Sequence, residues 1–304
     1  MHINFMNSKK SIGGRRRCMV IKGSYLSLSP ILHNAGYQAV GIQDDFEYAE
    51  LTLAPDQLDN TMKDLRNPNK FWRGVSVGNP FKNKIGGVMA ENSDGSLKYL
   101  DEIDKSAQEI GSVNTIVIDT KNGKPYLTGT NTDWIGFSIA LNEKIKNIRE
   151  QNIAIVGAGG VARASLFALR KLNPLARITI FNRTLKNAKI LSGQFGGEVK
   201  NLDELNLIPE FDIVIHATTN GMRGEKSLIN PEFFKPSQTV IEWDYSKDIT
   251  ETDLEKQAGK KGAIVISGRR ILLGQALGQF KLFTGHDAPI KAMEKALYQS
   301  SKTN

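Results

Sequence analysis

The second half of the chain carries the more regular polarity pattern. Residues 153–156, 178–181, 212–215, 240–242 and 263–266 are short, nearly unbroken apolar runs, as strands buried on both faces should be. Residues 161–172 repeat apolar positions at helical spacing. Strands alternating with helices predict a parallel sheet covered on both faces. Past Gly268 the pattern turns helical, over 271–283 and 290–298. In the first half, 18–24, 46–53 and 74–77 read as strands, and 57–65 and 97–110 as helices. Residues 113–119 and 125–127 read as strands around the turn Asn122-Gly123. Ser29-Pro30 marks a helix start, with Ser29 as N-cap and Pro30 in the first turn. Gly78-Asn79-Pro80 is a loop signal. A domain boundary is expected near Asp133, after Gly129-Thr130-Asn131-Thr132.

Composition narrows the possibilities. A chain of 304 residues, 40% of them hydrophobic, can bury a sizeable core in about two domains. It holds no run of about 18 apolar residues, so no membrane span is expected. The lone Cys18 excludes a disulfide framework and any cysteine-rich metal site. The four histidines, His2, His33, His216 and His286, are not paired at ligand spacing, so no metal is expected. Part of the net charge of +8 sits in Lys9, Lys10, Arg15, Arg16 and Arg17. No apolar stretch follows them, which argues against a secretory signal. Residues 1–17 read as a solvated basic extension in preference to a nucleic-acid arm. For the body of the chain, basic balance fits small anionic ligands.

The sharpest motif runs from Asn152 through Gly157-Ala158-Gly159-Gly160-Val161-Ala162. It follows an expected strand and opens an expected helix. Gly157 permits a tight turn, Gly159 lets backbone approach a pyrophosphate, and Ala162 allows close helix–strand packing. The helix N-terminus then offers N–H donors and the positive end of its dipole to phosphates. The next strand ends in Asn182-Arg183-Thr184, where NAD-binding folds usually place an acid for the ribose diol. A carboxylate there would repel a 2′-phosphate. Arg183 instead offers a planar fork and Thr184 a hydroxyl, with Lys186 nearby in sequence, so NADP is expected over NAD.

These features, with several motifs in the first half, resemble the shikimate dehydrogenase family, from about Val20 to Gly285. The motifs are Ser27-Leu28-Ser29-Pro30 with His33-Asn34, Gly74 to Lys82, Gly111-Ser112-Val113-Asn114-Thr115, and Gly129-Thr130-Asn131-Thr132-Asp133. Asn182-Arg183-Thr184, Ala217-Thr218 to Gly221-Met222, and Gly268 with Leu272 to Gln275-Ala276 complete the series. The resemblance implies two α/β domains with a cleft between them. A substrate-binding catalytic domain would span 18–133 plus 268–304, and a Rossmann-type NADP-binding domain 134–267. It implies NADPH-dependent, reversible reduction of 3-dehydroshikimate to shikimate, a cytoplasmic step towards aromatic amino acids. The partner would be a small hydroxylated carboxylic acid, with neither nucleic acid nor membrane, and the enzyme a monomer or homodimer.

Carried over residue by residue, the family pattern makes Lys82 and Asp133 the catalytic pair. Ketone reduction needs a proton delivered to the developing alkoxide. Lys82 suits that task, and Asp133 would orient it and favour its charged form. Asp133 also suits a helix N-cap, a role that can coexist with catalysis. Ser27, Ser29 and Tyr245 would donate hydroxyl hydrogens to the carboxylate, and Asn114 and Gln275 would read ring hydroxyls. Three of them also have a plain structural reading: a cap for Ser29, a turn for Asn114, a half-buried aromatic for Tyr245. Ala217, Thr218, Trp243 and Gly268 would lie against the cofactor, the last two near its nicotinamide.

Three departures bear on substrate. The family's proline and histidine ahead of the first serine are absent from Ile21-Lys22-Gly23-Ser24-Tyr25-Leu26. Gly78 stands where the family carries a threonine whose hydroxyl would contact substrate; one lost neutral hydrogen bond costs about 0.5–1.5 kcal/mol. His216 replaces an asparagine. The alternatives they raise are a paralogue acting on quinate or another hydroxylated ring acid, or a non-catalytic NADP-binding sensor.

Overall fold

The computed structural model describes residues 15–86, 97–145, 148, 150–221, 224–245 and 251–299. Lys9, Lys10 and Met222 of the motifs above lie outside them. The described residues form two compact α/β units. One draws on Met1–Gln108, Val113–Thr130 and Ala276–Tyr298, the other on Glu109–Ser112 and Asn131–Gln275.

In the first part of the chain the elements are β1 (Arg16–Lys22), α1 (Ser29–Ala39), β2 (Phe46–Thr52), α2 (Leu58–Asp64), β3 (Trp72–Val77), α3 (Lys82–Gly86), β4 (Glu102–Ile103), α4 (Lys105–Ile110), β5 (Thr115–Lys121) and β6 (Lys124–Thr130). The strands form one mixed sheet in the order β2-β1-β3-β5-β6-β4. β1 runs parallel to β2 and β3, whereas β5 is antiparallel to β3 and β6. The β5–β6 turn has Asn122 at φ 51° and Gly123 at φ 76°, the left-handed pair that matches the twist of a two-residue hairpin. Met19, Ile21, Val75, Val77, Ile116 and Ile118 pack with Leu58, Met62 and Ile85 in its core.

Three expectations for this region are corrected. Residues 97–110 are not one helix. Glu102–Ile103 pairs with Thr128–Gly129 as β4. Asp104 Oδ1 then accepts the Ala107 amide at 2.7 Å, which starts a separate α4 of six residues. The basic extension ends earlier than residue 17, because Arg16 and Arg17 already belong to β1. Arg17 reaches Glu47 on β2 at 2.8 Å. Ser29 is the first residue of α1 and not its cap; Ser27 Oγ accepts the Ser29 amide at 3.2 Å.

The second part comprises α5 (Asp133–Lys144), β7 (Asn152–Val156), α6 (Gly160–Leu172), β8 (Arg177–Phe181), α7 (Leu185–Phe195), β9 (Glu198–Lys200), β10 (Ile213–His216), β11 (Thr239–Glu242), α8 (Asp253–Lys260) and β12 (Ile264–Ile266). All six strands are parallel, in the order β12-β11-β10-β7-β8-β9. The order reverses between β7 and β10, the switch point of doubly wound nucleotide-binding folds. β7, β10 and β11 are buried at nearly every position, which explains their apolar runs.

α9 (Gly268–Thr284) and α10 (Ile290–Gln299) follow. In the second unit α9 crosses α5 at two glycines: a Cβ on Gly274 would lie 2.8 Å from the Gly136 Cα, and one on Gly136 would lie 2.6 Å from the Gln275 amide nitrogen. In the first unit, a Cβ on Gly74 would overlap the ring of Phe283 from the last turn of α9. No helix among the described residues is long and apolar enough to cross a membrane.

Candidate functional site

In the first unit the residues expected to meet substrate lie at the ends of β1, β3 and β5. Ser27, Ser29 and Asn114 are all buried. The Ser27 amide donates to Glu50 Oε2 at 3.3 Å. Lys82 is half-buried and opens α3, and its carbonyl accepts the Val113 amide at 3.2 Å. The Asn114 carbonyl accepts the Val77 amide at 2.7 Å, and the Asn114 amide donates to Thr130 at 3.2 Å. The lysine and asparagine segments are thus held to each other by main-chain bonds.

Beneath them runs a polar chain not anticipated from the sequence. Tyr48 Oη donates to Ser76 Oγ at 2.6 Å, and Ser76 donates to Gln279 Oε1 at 2.7 Å. Gln279 Nε2 donates to Thr115 Oγ1 at 2.8 Å, and Thr115 donates to Asn114 Oδ1 at 2.7 Å. Asn114, an expected substrate residue, is therefore joined through Thr115, Gln279 and Ser76 to Tyr48. His33 stacks on Tyr48 with ring centroids 4.2 Å apart, and burial pushes its pKa down to about 3. The signal available was Ser76, a polar residue facing the interior of an apolar strand, since buried polar groups need partners.

In the second unit the expected cofactor residues gather at the switch point. Gly157 has φ +120°, and a Cβ there would overlap the Ala217 carbonyl; only glycine suits that backbone and that contact. It brings the β7 turn against Ala217-Thr218 at the end of β10. A Cβ on Gly159 would meet nothing within 4 Å. The strand-to-helix turn therefore leaves open space in front of the first turn of α6, as a pyrophosphate requires. Val161 and Ala162 lie in that first turn, with Ala162 fully buried. At the end of β8, Asn182 Nδ2 donates to the Thr184 carbonyl at 2.9 Å, shaping the turn. Arg183 and Thr184 are exposed, and Arg183 makes no ion pair among the described residues. A 2′-phosphate fits this pair, and no acid occupies the turn.

Gly268 meets the chain at Trp243: a Cβ on it would lie 2.8 Å from the Trp243 carbonyl oxygen. The Trp243 indole is buried, stacked on Phe137 with centroids 5.8 Å apart, and donates to Ser165 Oγ at 2.9 Å. Tyr245 is half-buried. Asp133 is buried as the first residue of α5, its amide donating to Asn131 Oδ1 at 3.0 Å. Gln275 is buried on α9 and accepts the Thr132 hydroxyl at 3.4 Å.

His216 now has a physical role. It is fully buried, with Nδ1 2.8 Å from Glu242 Oε1 and Nε2 2.7 Å from Thr218 Oγ1. Nδ1 thus pairs with the Glu242 carboxyl and Nε2 with the Thr218 hydroxyl. The pair fixes the Thr218 hydroxyl in front of the switch point. His216, Glu242 and Asp244 offer donor atoms within 4.8 Å of one another, but both imidazole nitrogens are already engaged.

Asp244 is buried, and its Oδ2 has no hydrogen-bond partner among the described residues. Burial, followed by the nearby charges of Glu242, Glu225 and Glu255, pushes its pKa from 3.8 up to about 9. The folded chain then holds a proton that the unfolded chain has released. This contribution is intact below 3.8 and is lost as pH rises towards about 9. Asp244→Asn keeps the shape and cannot ionise. Its stability relative to wild type is expected to rise with pH, by up to about 1.4 kcal/mol per unit across the neutral range. Urea unfolding of both proteins at several pH values checks this, and parallel curves would refute it.

The comparisons with known proteins agree with this geometry. Residues 24–116 match the shikimate dehydrogenase substrate binding domain, 140–232 the shikimate / quinate 5-dehydrogenase domain and 268–298 the shikimate 5′-dehydrogenase C-terminal domain. Shikimate dehydrogenase (NADP(+)) of Aquifex aeolicus is 31% identical over 272 residues, covering 89% of this chain and 91% of that protein. The enzyme of the same name from Methanocaldococcus jannaschii is 35% identical over 283 residues, covering 89% and 92%. Among solved structures, the Aquifex aeolicus shikimate dehydrogenase superposes with TM-score 0.79 at 30% identity, over 94% of this chain and 99% of that one. The Thermus thermophilus enzyme in complex with NADP(H) and shikimate gives 0.77 at 27% identity, over 94% and 99%. Such likeness along nearly the whole of both chains makes this protein a member of the shikimate dehydrogenase family.

Proposed function

We propose that the chain is an NADP-dependent shikimate dehydrogenase, interconverting 3-dehydroshikimate and shikimate on the route to aromatic amino acids. The reading rests above all on the switch point, where Gly157 meets Ala217-Thr218 while Arg183, at the end of the adjacent strand, makes no ion pair among the described residues. It is supported by likeness to enzymes of that name over 89% of the chain.

NADP, when bound, supplies and accepts the hydride. The second unit holds it through the β7–α6 turn, Arg183 and Thr184. The ring acid is held by the side chains that the family pattern assigns to it. Ser27, Ser29 and Tyr245 bind its carboxylate, while Asn114 and Gln275 read its hydroxyls. Lys82 delivers the proton to the oxygen of the reduced ketone, and Asp133 orients the ammonium. The enzyme works in the cytoplasm as a monomer or homodimer, on a small hydroxylated ring acid, with no nucleic-acid or membrane partner.

A panel assay tests the assignment. Reduction of NADP and of NAD is followed with shikimate, quinate and related ring acids. Shikimate with NADP is expected to give the highest kcat/KM. Faster turnover of quinate, or NADP binding with no turnover of any ring acid, would overturn the reading.

A further inference from the structure

The loop ahead of Ser27 and the loop ahead of Lys82 are built onto each other. Lys22, at the end of β1, is buried although charged. Its ammonium is held by the Tyr25 carbonyl, by Thr52 Oγ1 at 3.0 Å and by Glu50 at 3.7 Å, and it faces the Tyr25 ring, with the centroid at 5.2 Å. That anchor turns Tyr25 towards the end of β3. The Asn79 amide donates to Tyr25 Oη at 3.1 Å, and the Gly23 amide donates to the Asn79 carbonyl at 2.8 Å. Gly78 completes the fit. A Cβ built there would overlap the Tyr25 hydroxyl and come within 3.1 Å of Lys22 Cβ. The tyrosine hydroxyl therefore occupies the space a side chain at position 78 would fill, and the two positions exclude each other's larger residues.

We propose that Tyr25 is a specificity-determining residue, its phenolic hydroxyl contacting a ring hydroxyl of the substrate from the place left open by Gly78. Tyr25 stands two residues before Ser27, and Gly78 four before Lys82, so the hydroxyl lies between the segments assigned to the carboxylate and to the reacting ketone. This inference rests on the ring-acid reading above. It explains how a chain with glycine at 78 recognises a polyhydroxylated ring: the hydroxyl arrives from a different loop, along with the buried Lys22 that aims it.

The test uses the full-length protein, with steady-state kinetics and calorimetric binding of shikimate in parallel. Tyr25→Phe removes only the hydroxyl. It is expected to raise KM and Kd for shikimate about two- to ten-fold, with KM for NADP unchanged. Among ring acids each lacking one hydroxyl, one analogue should show no such penalty. Gly78→Thr alone should weaken shikimate binding more, because threonine and Tyr25 compete for one space. Gly78→Thr with Tyr25→Ala should recover most of the affinity. Recovery in the double variant is an outcome that a merely structural tyrosine would not produce. Unchanged KM and Kd in Tyr25→Phe, or a double variant no better than Gly78→Thr, overturns the inference. Wild type that binds shikimate without turning it over overturns the functional reading instead, and Kd then decides on Tyr25. Wild type that does not bind shikimate overturns both.

Discussion

Lys82→Ala is expected to lower kcat for 3-dehydroshikimate reduction by about 10²–10⁴-fold, the usual contribution of a positioned proton donor. The affinity for NADPH should not change, because the residue belongs to the first unit and the nucleotide motifs to the second. The main chain at 82 is held through the Val113 amide, and the side chain takes no part in that bond, so the fold should survive. The two quantities separate cleanly: stopped-flow or steady-state rates report the chemistry, and NADPH fluorescence titration reports the cofactor. A variant retaining half the wild-type kcat would remove Lys82 from the proton-transfer role. Lys82→Arg keeps a cation but, with a pKa above about 12, is a poor acid at neutral pH, so it should recover little activity.

Arg183→Ala is expected to raise KM for NADPH about ten- to a hundred-fold, the range for losing charge-assisted hydrogen bonds to a phosphate. KM for NADH, which lacks the 2′-phosphate, should hardly move. The ratio of kcat/KM for the two coenzymes is the measurement, and raised salt should narrow it in wild type because the guanidinium is exposed. Equal losses for both coenzymes would mean that Arg183 supports the turn and does not read the phosphate.

The nucleotide half of this site was legible because its determinants are local. Strand, turn and helix from Asn152 to Leu172 follow one another in the chain, and the glycine requirement at 157 comes from backbone geometry that few other residues tolerate. The parallel strands announced themselves through apolar runs, the consequence of burial on both faces. The long helix expected over 97–110 failed because tertiary pairing of Glu102–Ile103 with Thr128–Gly129 outweighed local helical preference. Helix α8 went unread despite its capping box, in which Thr252 Oγ1 accepts the Glu255 amide and Glu255 accepts the Thr252 amide. Of the polar chain through Tyr48, Ser76 and Gln279, the sequence offered only the inward-facing Ser76 and not its partners. Its members are 28 and 203 positions apart, and nothing in a single sequence says that such residues meet. The same is true of Tyr25 and Gly78, where only the loss at 78 was visible and not what filled it.

The glycine crossing of α5 and α9 has a mechanical meaning. With backbone against backbone at Gly136 and Gly274, no layer of side chains lies between the helices to act as a cushion. Asp133 begins one of these helices and Gln275 follows Gly274 on the other, so both side chains ride on a single stiff helix pair. Their mutual spacing can hardly be retuned by repacking. Adaptation to a differently decorated ring falls more readily on loop-borne positions, such as Tyr25 and Gly78, than on this crossing.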